Sequence, residues 1–179
     1  MNLEVRLVHQ DQSESLAVET GAVDLALLLR PPERPGLRQR QLFGDRFVCL
    51  VRNDHPLVGR RLTLERYLEL SHLLVSPQGQ GLGFVDSALL QLGLSRRIVL
   101  KLPYFIVAAP ILARTDLLLT LPERVARDLA AHFPLRQLPP PLELPTFAMY
   151  QVWHDRHEPD SAHRWLRDRI TRAFKPPPA

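Results

Sequence analysis

The sequence predicts an α/β fold with a mostly parallel sheet, and three observations support this prediction. Strand-like and helix-like runs alternate along the 179 residues, which is the pattern of a sheet covered by helices. The runs 24–29 and 47–51 are apolar, and the first is continuous, as expected of a parallel strand covered on both faces. The stretch 72–93 combines an apolar run, a glycine-rich loop and a helix-like run. This order aims backbone N–H groups at a crevice where an anion or polar ligand can bind.

The N-terminal third of the chain is predicted to contain three strands and two short helices. Residues 3–8 mostly alternate between apolar and charged side chains, which predicts a strand. Asp11 and Glu14 have the spacing of a capping box, and Gly21 follows the predicted end of the helix 11–20. The remaining elements are a strand at 24–29, a proline-rich loop at 30–36, a strand at 47–51 and a helix that Thr63 caps and that runs to Leu70.

The rest of the chain continues the alternation of strands and helices. The helix after the glycine-rich loop carries Val85, Leu89 and Leu92 on one stripe. It ends at Gly93, which suits the left-handed conformation that closes a helix. Pro110 is compatible only with the first turn of the helix that runs to about Arg114. The other predicted elements are strands at 97–102, 117–121 and 146–153, a helix opened by Pro122 with Val125, Ala126, Leu129 and Ala130 inward, and a helix opened by Pro159 with an inner stripe of Ala162, Trp165, Leu166, Ile170 and Ala173.

Two candidate connections, near residue 70 and near residue 143, divide the chain into two lobes. The second connection follows the stiff, proline-rich segment 138–142. Residues 1–70 together with 144–175 are predicted to form lobe 1, residues 71–143 to form lobe 2, and residues 176–179 to be a tail. A cleft between two such lobes is a usual place for a small-molecule site.

Composition and charge restrict the classes of function. The single cysteine, Cys49, excludes a disulfide framework and fits a reducing, cytoplasmic environment. Residues 1–20 do not have the pattern of a signal peptide. No apolar run approaches the roughly 20 residues that span a bilayer, so no membrane partner is predicted. The net charge of +4 comes mostly from arginines that are scattered among acids, which does not support nucleic-acid binding by this segment.

The sequence gives little support for a catalytic, metal or nucleotide site. The run from Gly79 to Gly83 is G-x-G-x-G, whereas a dinucleotide loop needs G-x-G-x-x-G and an acid about twenty residues later. The histidines His154, His157 and His163 have no cysteine or carboxylate cluster to complete a metal site. No serine has the context of a nucleophile. We therefore predict no catalytic residue, no metal and no cofactor.

Several runs of the sequence are informative when they are taken together. The runs are GAVDLA at 21–26, RFVCLVRNDHP at 46–56, GLGFVD at 81–86, GLSRR at 93–97, TDLLLTLP at 115–122, Trp153-His154 and HRWLR at 163–167. Together they resemble the effector-binding domain of LysR-type transcriptional regulators, particularly the branch that responds to salicylate, nitroaromatics and related aromatic acids. The resemblance covers essentially the whole chain.

The resemblance implies a two-lobe, periplasmic-binding-protein-like fold of type 2, with a small aromatic effector in the cleft and a homo-oligomeric intact regulator. The family's DNA-binding helix-turn-helix, and the first strand and helix of its first lobe, have no counterpart in the sequence. We therefore expect an incomplete first lobe, and DNA binding only through an N-terminal domain that is missing here. The alternative is an enzyme or a solute-binding protein on the same two-lobe fold.

The candidate effector-binding residues come from the glycine-rich loop and from the ends of predicted strands. The amides of Gln78 and Gln80 could contact the effector, and Leu82 takes a position that is histidine in some relatives. Tyr104 and Phe105 could stack on an aromatic ring, although Phe105 could equally be part of the helix core. The weaker candidates are Thr120, at the end of its strand, and Arg30, which could pair with an acidic effector or be a solvated loop residue.

Overall fold

The computed structural model describes residues 4–5, 13–29, 34–76 and 83–174. The chain divides into two compact units, Met1–Gly44 with Phe147–Ala179 and Asp45–Thr146, which are called here the first and the second unit. The first boundary lies at Gly44/Asp45 and not near residue 70, because the strand that follows it is hydrogen-bonded into the sheet of the second unit. The other boundary lies close to the predicted one.

The described residues contain the following helices and strands in chain order: α1 Ser13–Thr20, β1 Leu25–Leu28, β2 Leu37–Asp45, β3 Phe47–Arg52, α2 Leu64–Glu69, β4 Ser71–Val75, α3 Phe84–Gln91, β5 Arg97–Leu102, α4 Phe105–Leu112, β6 Leu117–Pro122, α5 Glu123–His132, β7 Leu135–Leu138, β8 Phe147–His154 and α6 Ser161–Ala173. A short 3-10 turn, Asp155–His157, precedes α6.

The second unit is built on a five-stranded sheet with the strand order β5-β4-β6-β3-β7. Strand β4 is parallel to both β5 and β6, and β3 is antiparallel to β6 and β7. The sheet is therefore mixed, with two parallel and two antiparallel pairings, and the prediction of a mostly parallel sheet is wrong. Successive residues of a strand point to opposite faces. Val48 and Leu50 therefore pack into one apolar cluster, and Cys49 and Val51 into the other. The sheet is thus covered on both faces.

The first unit contains a three-stranded sheet with the order β1-β8-β2. Strand β1 pairs with β8 in the antiparallel sense, and Leu27 is 45% exposed, so the prediction of a doubly covered parallel strand at 24–29 is wrong. Of the strand predicted at 3–8, only Glu4 and Val5 belong to the described residues, and neither lies in a helix or strand.

Two strands, β2 and β7, were not predicted. Strand β2 lies at the end of the strand order in its sheet, and its period-two signal is carried by Arg38 and Arg40 rather than by apolar side chains. These arginines form ion pairs with Asp155 and Asp168, acids that are far away in sequence. Strand β7 has only four residues, too few for a pattern to show.

Helix α6 buries a different face from the predicted one. The sequence favoured the stripe that contains Trp165, but Trp165 is 51% exposed, while His163 and Arg167 are buried at 7% and 1%. Polar side chains can be buried when their hydrogen bonds are satisfied. His163 Nε2–H donates to the carbonyl of Asp24, at 2.9 Å, and this tertiary contact is invisible to a count of apolar residues.

Two details of the second unit's helices also differ from the predictions. The sequence pattern predicts that Leu92 shares the inner stripe with Val85 and Leu89, which are buried, but Leu92 is 58% exposed. It is the C-cap residue, beyond the last regular turn of α3. Pro110 lies past the first turn of α4, which begins at Phe105. The helix tolerates it close to its end, where few helical hydrogen bonds remain to be lost.

Three described glycines have a positive φ, and substitution of two of them gives a graded test of the fold. Gly93 has φ +68° and no atom within 4 Å of the point that an added Cβ would occupy, whereas at Gly36 (φ +80°) a Cβ would lie 3.0 Å from His154 Nε2. We expect Gly93→Ala to lower the free energy of unfolding by roughly 1 kcal/mol, the usual cost of left-handed backbone for alanine. Gly36→Ala should cost more.

Urea denaturation of both variants measures this difference, with Gly59→Ala as the control. Gly59 has neither a positive φ nor an atom within 4 Å of the added Cβ, so its replacement should be neutral or slightly stabilising. Equal losses for Gly36→Ala and Gly93→Ala would show that the close approach of His154 has no energetic cost.

Candidate ligand-binding site

The carboxyl ends of three parallel strands, β5, β4 and β6, lie side by side in the second unit. Val75 of β4 pairs with Leu102 of β5, and the backbone N–H of Ser76 donates to the carbonyl of Leu102 at 2.8 Å. Thr120 is close to the end of β6, on the other side of β4. We call this side of the sheet the carboxyl edge. Ligands of open α/β sheets bind outside the carboxyl ends of the strands.

The predicted aromatic pair is divided between the surface and the core. Tyr104 is the N-cap residue of α4 and is 56% exposed, directly after the end of β5. Phe105 packs against the apolar cluster that contains Leu73 and Leu112, as the core alternative for this residue expected. Of the two rings, the one that a ligand at the carboxyl edge can reach is therefore that of Tyr104.

Thr120 is partly exposed and belongs to a small polar cluster. Its hydroxyl oxygen lies 2.9 Å from the hydroxyl of Tyr67 and 3.7 Å from Cys49 Sγ. Burial raises the pKa of Tyr67 and of Cys49 to about 12 in each case, so both groups keep their protons at neutral pH. Cys49 is fully buried and is therefore no nucleophile.

An ion pair that was not predicted from the sequence completes this cluster. Arg96 Nε and Nη2 lie 2.7 and 2.9 Å from the two carboxylate oxygens of Asp86, and Arg96 Nη1 lies 3.5 Å from the Tyr67 hydroxyl. Burial alone would raise the pKa of Asp86, but the hydrogen bonds and charge of Arg96 and a hydrogen bond from the Gly83 backbone lower it below its ordinary value. The carboxylate is thus charged in the folded protein.

Four of the candidate residues lie outside the described residues: Arg30, Gln78, Gln80 and Leu82. The described chain resumes at Gly83, which is the N-cap residue of α3. The prediction that the glycine-rich segment leads from a strand into a helix agrees with β4 and α3 on its two sides.

A groove of about 390 Å³ lies at the same edge, where β3 begins and β6 and β7 end. Its lining includes Phe47, Pro139 and an ion pair in which Arg46 Nη2 lies 2.7 Å from a carboxylate oxygen of Glu123. The hydrogen bond from Arg46 lowers the pKa of Glu123. This groove was not predicted from the sequence, because one of its walls follows the unpredicted strand β7.

The histidines near the C-terminus have partners that are not metal ligands. The rings of His157 and His163 are stacked at 4.7 Å, and His163 Nδ1 accepts a hydrogen bond from Arg167 Nη1 at 2.7 Å. Among the described residues, no group of three or more His, Cys, Asp or Glu side chains could hold a metal ion. In none of the described ranges is there a helix that is both long and apolar enough to cross a membrane.

Three parallel strands with an exposed tyrosine and a polar cluster at their carboxyl ends are typical of α/β domains that bind small molecules. The chain belongs to the LysR substrate binding domain family, whose model matches residues 1–175. The resemblance inferred from the sequence is therefore confirmed, as is the periplasmic-binding-protein-like type 2 fold of that family.

Comparison with individual proteins agrees with this assignment. The chain is 42% identical over 160 residues to the HTH-type transcriptional activator NahR of Pseudomonas putida, with 88% of this chain and 53% of NahR covered. It is 40% identical over 157 residues to the activator NagR of Ralstonia sp, covering 88% and 52%. The chain thus spans about half the length of these relatives. The regulatory domain of MexT, a transcriptional activator in Pseudomonas aeruginosa, superposes with a TM-score of 0.75 at 30% identity, covering 90% of this chain and 79% of that domain.

Proposed function

We propose that this domain senses a small aromatic carboxylate and that the effector contacts the carboxyl edge of the second unit. The observation that carries the proposal is the position of Tyr104, which exposes an aromatic ring at the end of β5. Ligands of open α/β sheets bind outside the carboxyl ends of the strands, which is where this ring lies. The family assignment and the similarity to NahR and NagR, both transcriptional activators, support the same reading.

Each candidate residue except Phe105, which packs into the core, has a defined chemical role in this proposal. The ring of Tyr104 stacks on the effector ring, and its hydroxyl can bond to a carboxylate. Thr120 contributes a second hydroxyl from β6. Gln78, Gln80 and Leu82 contact the effector from the glycine-rich segment, and Arg30 supplies a positive charge. The predicted position of the site in a cleft between two lobes stays a prediction.

Binding without turnover is the expected chemistry. The buried thiol of Cys49 and the buried phenol of Tyr67 keep their protons because burial raises the pKa of both. Neither can act as a nucleophile or general base at neutral pH. The enzyme alternative would require conversion of a bound benzoate by the purified protein, which a chromatographic assay would detect.

In the intact regulator, the effector would shift a pre-existing conformational equilibrium. The DNA-binding part of such a regulator would lie outside this chain, and the regulator would act as a homo-oligomer. Exposed apolar side chains on β5 and α4, namely those of Val99, Ile106 and Val107, provide surface that a second copy could cover. Effector-dependent transcription from the cognate promoter tests this coupling, and no response to any aromatic acid would contradict it.

A ligand panel tests the proposed binding directly. Salicylate and benzoate should raise the midpoint of thermal unfolding in a concentration-dependent way, whereas cyclohexanecarboxylate (no aromatic ring) and benzamide (no charge) should do so much less. Tyr104→Ala should weaken salicylate binding about tenfold, the effect of losing one stacking contact, and Tyr104→Phe should weaken it less.

Leu90→Ala is the matched control, because Leu90 is a similarly exposed side chain on α3. Its affinity for salicylate, measured by calorimetry, should equal that of the wild type. A Tyr104→Ala variant that binds salicylate as tightly as the wild type would contradict the proposed role of this residue.

A further inference from the structure

We propose that Arg96 is a positioning residue of the effector site: it fixes the start of α3 through Asp86 and, through Tyr67, orders the hydroxyl of Thr120 as a hydrogen-bond donor to the effector carboxylate. The inference rests on the proposed function, and it adds the reason why an acceptor group on the ligand is selected. Arg96, Asp86 and Tyr67 do not themselves contact the ligand in this proposal.

The first step is the attachment of α3 to Arg96. The guanidinium and the carboxylate of Asp86 form two parallel hydrogen bonds of 2.7 and 2.9 Å, and their side chains are only 2% and 13% exposed. Bidentate pairs of this kind fix both distance and orientation. Asp86 lies in the first turn of α3 and also accepts a hydrogen bond from the backbone of Gly83. Arg96 therefore holds the point at which the glycine-rich segment enters the helix.

The second step is the direction of the hydrogen bonds beyond Arg96. A guanidinium has donors only, so the Tyr67 oxygen, 3.5 Å from Nη1, is the acceptor of that contact. The proton of Tyr67 is then directed to the Thr120 oxygen at 2.9 Å. Tyr67 is fully buried, which leaves its hydroxyl few other partners. The chain of donors thus runs in one direction, from Arg96 through Tyr67 to Thr120.

The third step concerns the proton of Thr120. Because its oxygen accepts from Tyr67, its own proton is available to a further acceptor. The described acceptor beside it is Cys49 Sγ, at 3.7 Å, and a thiol sulfur is a weak acceptor. Thr120 is partly exposed near the end of β6, so a ligand carboxylate can replace this weak partner with a charge-assisted hydrogen bond. The network therefore favours a carboxylate over a ligand group that only donates.

Variants of the network test the proposal with salicylate as the probe. Tyr67→Phe keeps the ring but removes the hydroxyl, and Thr120→Val keeps the shape but removes the donor. Each should weaken salicylate binding about tenfold, as expected for one hydrogen bond to a charged group. Thr120→Ser restores the donor and should bind within about twofold of the wild type. The preference for salicylate over salicylamide should fall in Tyr67→Phe and Thr120→Val and persist in Thr120→Ser.

A second measurement does not depend on the ligand. Arg96→Met should increase amide hydrogen exchange in the first turn of α3. The control Arg52→Met removes an arginine whose Nε lies 2.8 Å from Asp116, at the opposite end of β6, and it should leave exchange in α3 unchanged.

The outcomes separate this inference from the proposed function. If the wild type binds salicylate and the variants Tyr67→Phe and Thr120→Val bind it with the same affinity and selectivity, the inference is overturned and the proposed function stands. Failure of the wild type to bind any member of the panel would overturn the proposed function. Unchanged exchange of α3 in Arg96→Met would overturn the positioning role in either case.

Discussion

Replacement of Arg167 by alanine is expected to lower the free energy of unfolding by about 3–5 kcal/mol, the range found when one partner of a buried charged network is removed. Arg167 is only 1% exposed. Its Nη1 donates to His163 Nδ1 at 2.7 Å and to the carbonyl of His157 at 3.1 Å. Its guanidinium also lies 4.6 Å from the centre of the Trp153 ring. These contacts tie α6 to β8 and to the turn between them.

The alanine variant would leave a buried imidazole nitrogen and a carbonyl without their donor and would open a cavity beside Trp153. Both effects destabilise the folded state. Arg169→Ala is the matched control: Arg169 lies on the same helix, on an exposed surface, with its guanidinium 5.3 Å from the ring centre of the exposed Trp165. Its loss should change stability by no more than about 0.5 kcal/mol, as at other exposed positions. Similar losses in the two variants, measured by urea denaturation, would show that the buried network does not stabilise the first unit.

Acid is expected to destabilise the second unit through His72. Burial lowers the pKa of this histidine from 6.5 to about 4. The hydrogen bond to the Tyr67 carbonyl raises the pKa in part, and the positive charge of Arg96 lowers it further. Between these two pH values the unfolded chain binds a proton that the folded protein does not, so stability falls as the pH falls from about 6.5 to about 4. The loss amounts to about 3 kcal/mol, at roughly 1.4 kcal/mol for each pH unit of difference.

His72→Gln isolates this contribution. Glutamine can donate to the carbonyl of Tyr67, which His72 Nε2 approaches to 2.7 Å, but it does not titrate. Between pH 7 and pH 4, the free energy of unfolding measured by urea denaturation should fall by about 3 kcal/mol more in the wild type than in the variant. His132→Gln, at an exposed histidine of α5, should keep the pH dependence of the wild type. A wild type and a His72→Gln variant with parallel pH profiles would contradict the assignment.

Local signals in the sequence were sufficient for much of the fold. The cap of α2 needs only the Thr63 hydroxyl, which accepts from the backbone of Arg66 three residues later. The positive φ of Gly93 follows from the end of one helix. Likewise, the carboxyl edge could be predicted because Tyr104 follows the strand 97–102 and Thr120 lies near the end of the apolar strand 117–121.

Features that depend on distant residues could not be read in this way. The arginines of β2 are paired with acids of the C-terminal region, and the buried face of α6 is polar because Arg167 and His163 bond to each other and to other segments. The pairing of Arg96 with Asp86 requires β5 to follow α3 back along β4, and the contact of Arg96 with Tyr67 requires α2 to pack beside them. Neither the charge pattern nor the spacing of these residues in the sequence predicts such a network. It was missed for the same reason that α6 was misoriented: burial of polar groups is decided by tertiary partners.

The most direct test of the proposed site is to map salicylate binding by backbone amide chemical shifts. Each of the three parallel strands provides its own control, because its amino end lies at the opposite end of the sheet from the carboxyl edge. The proposal predicts shifts at Ser76, Tyr104 and Thr120 and none at the amino ends, Ser71, Arg97 and Leu117. Shifts at the amino ends, or a response confined to the first unit, would contradict the assignment of the carboxyl edge as the effector site.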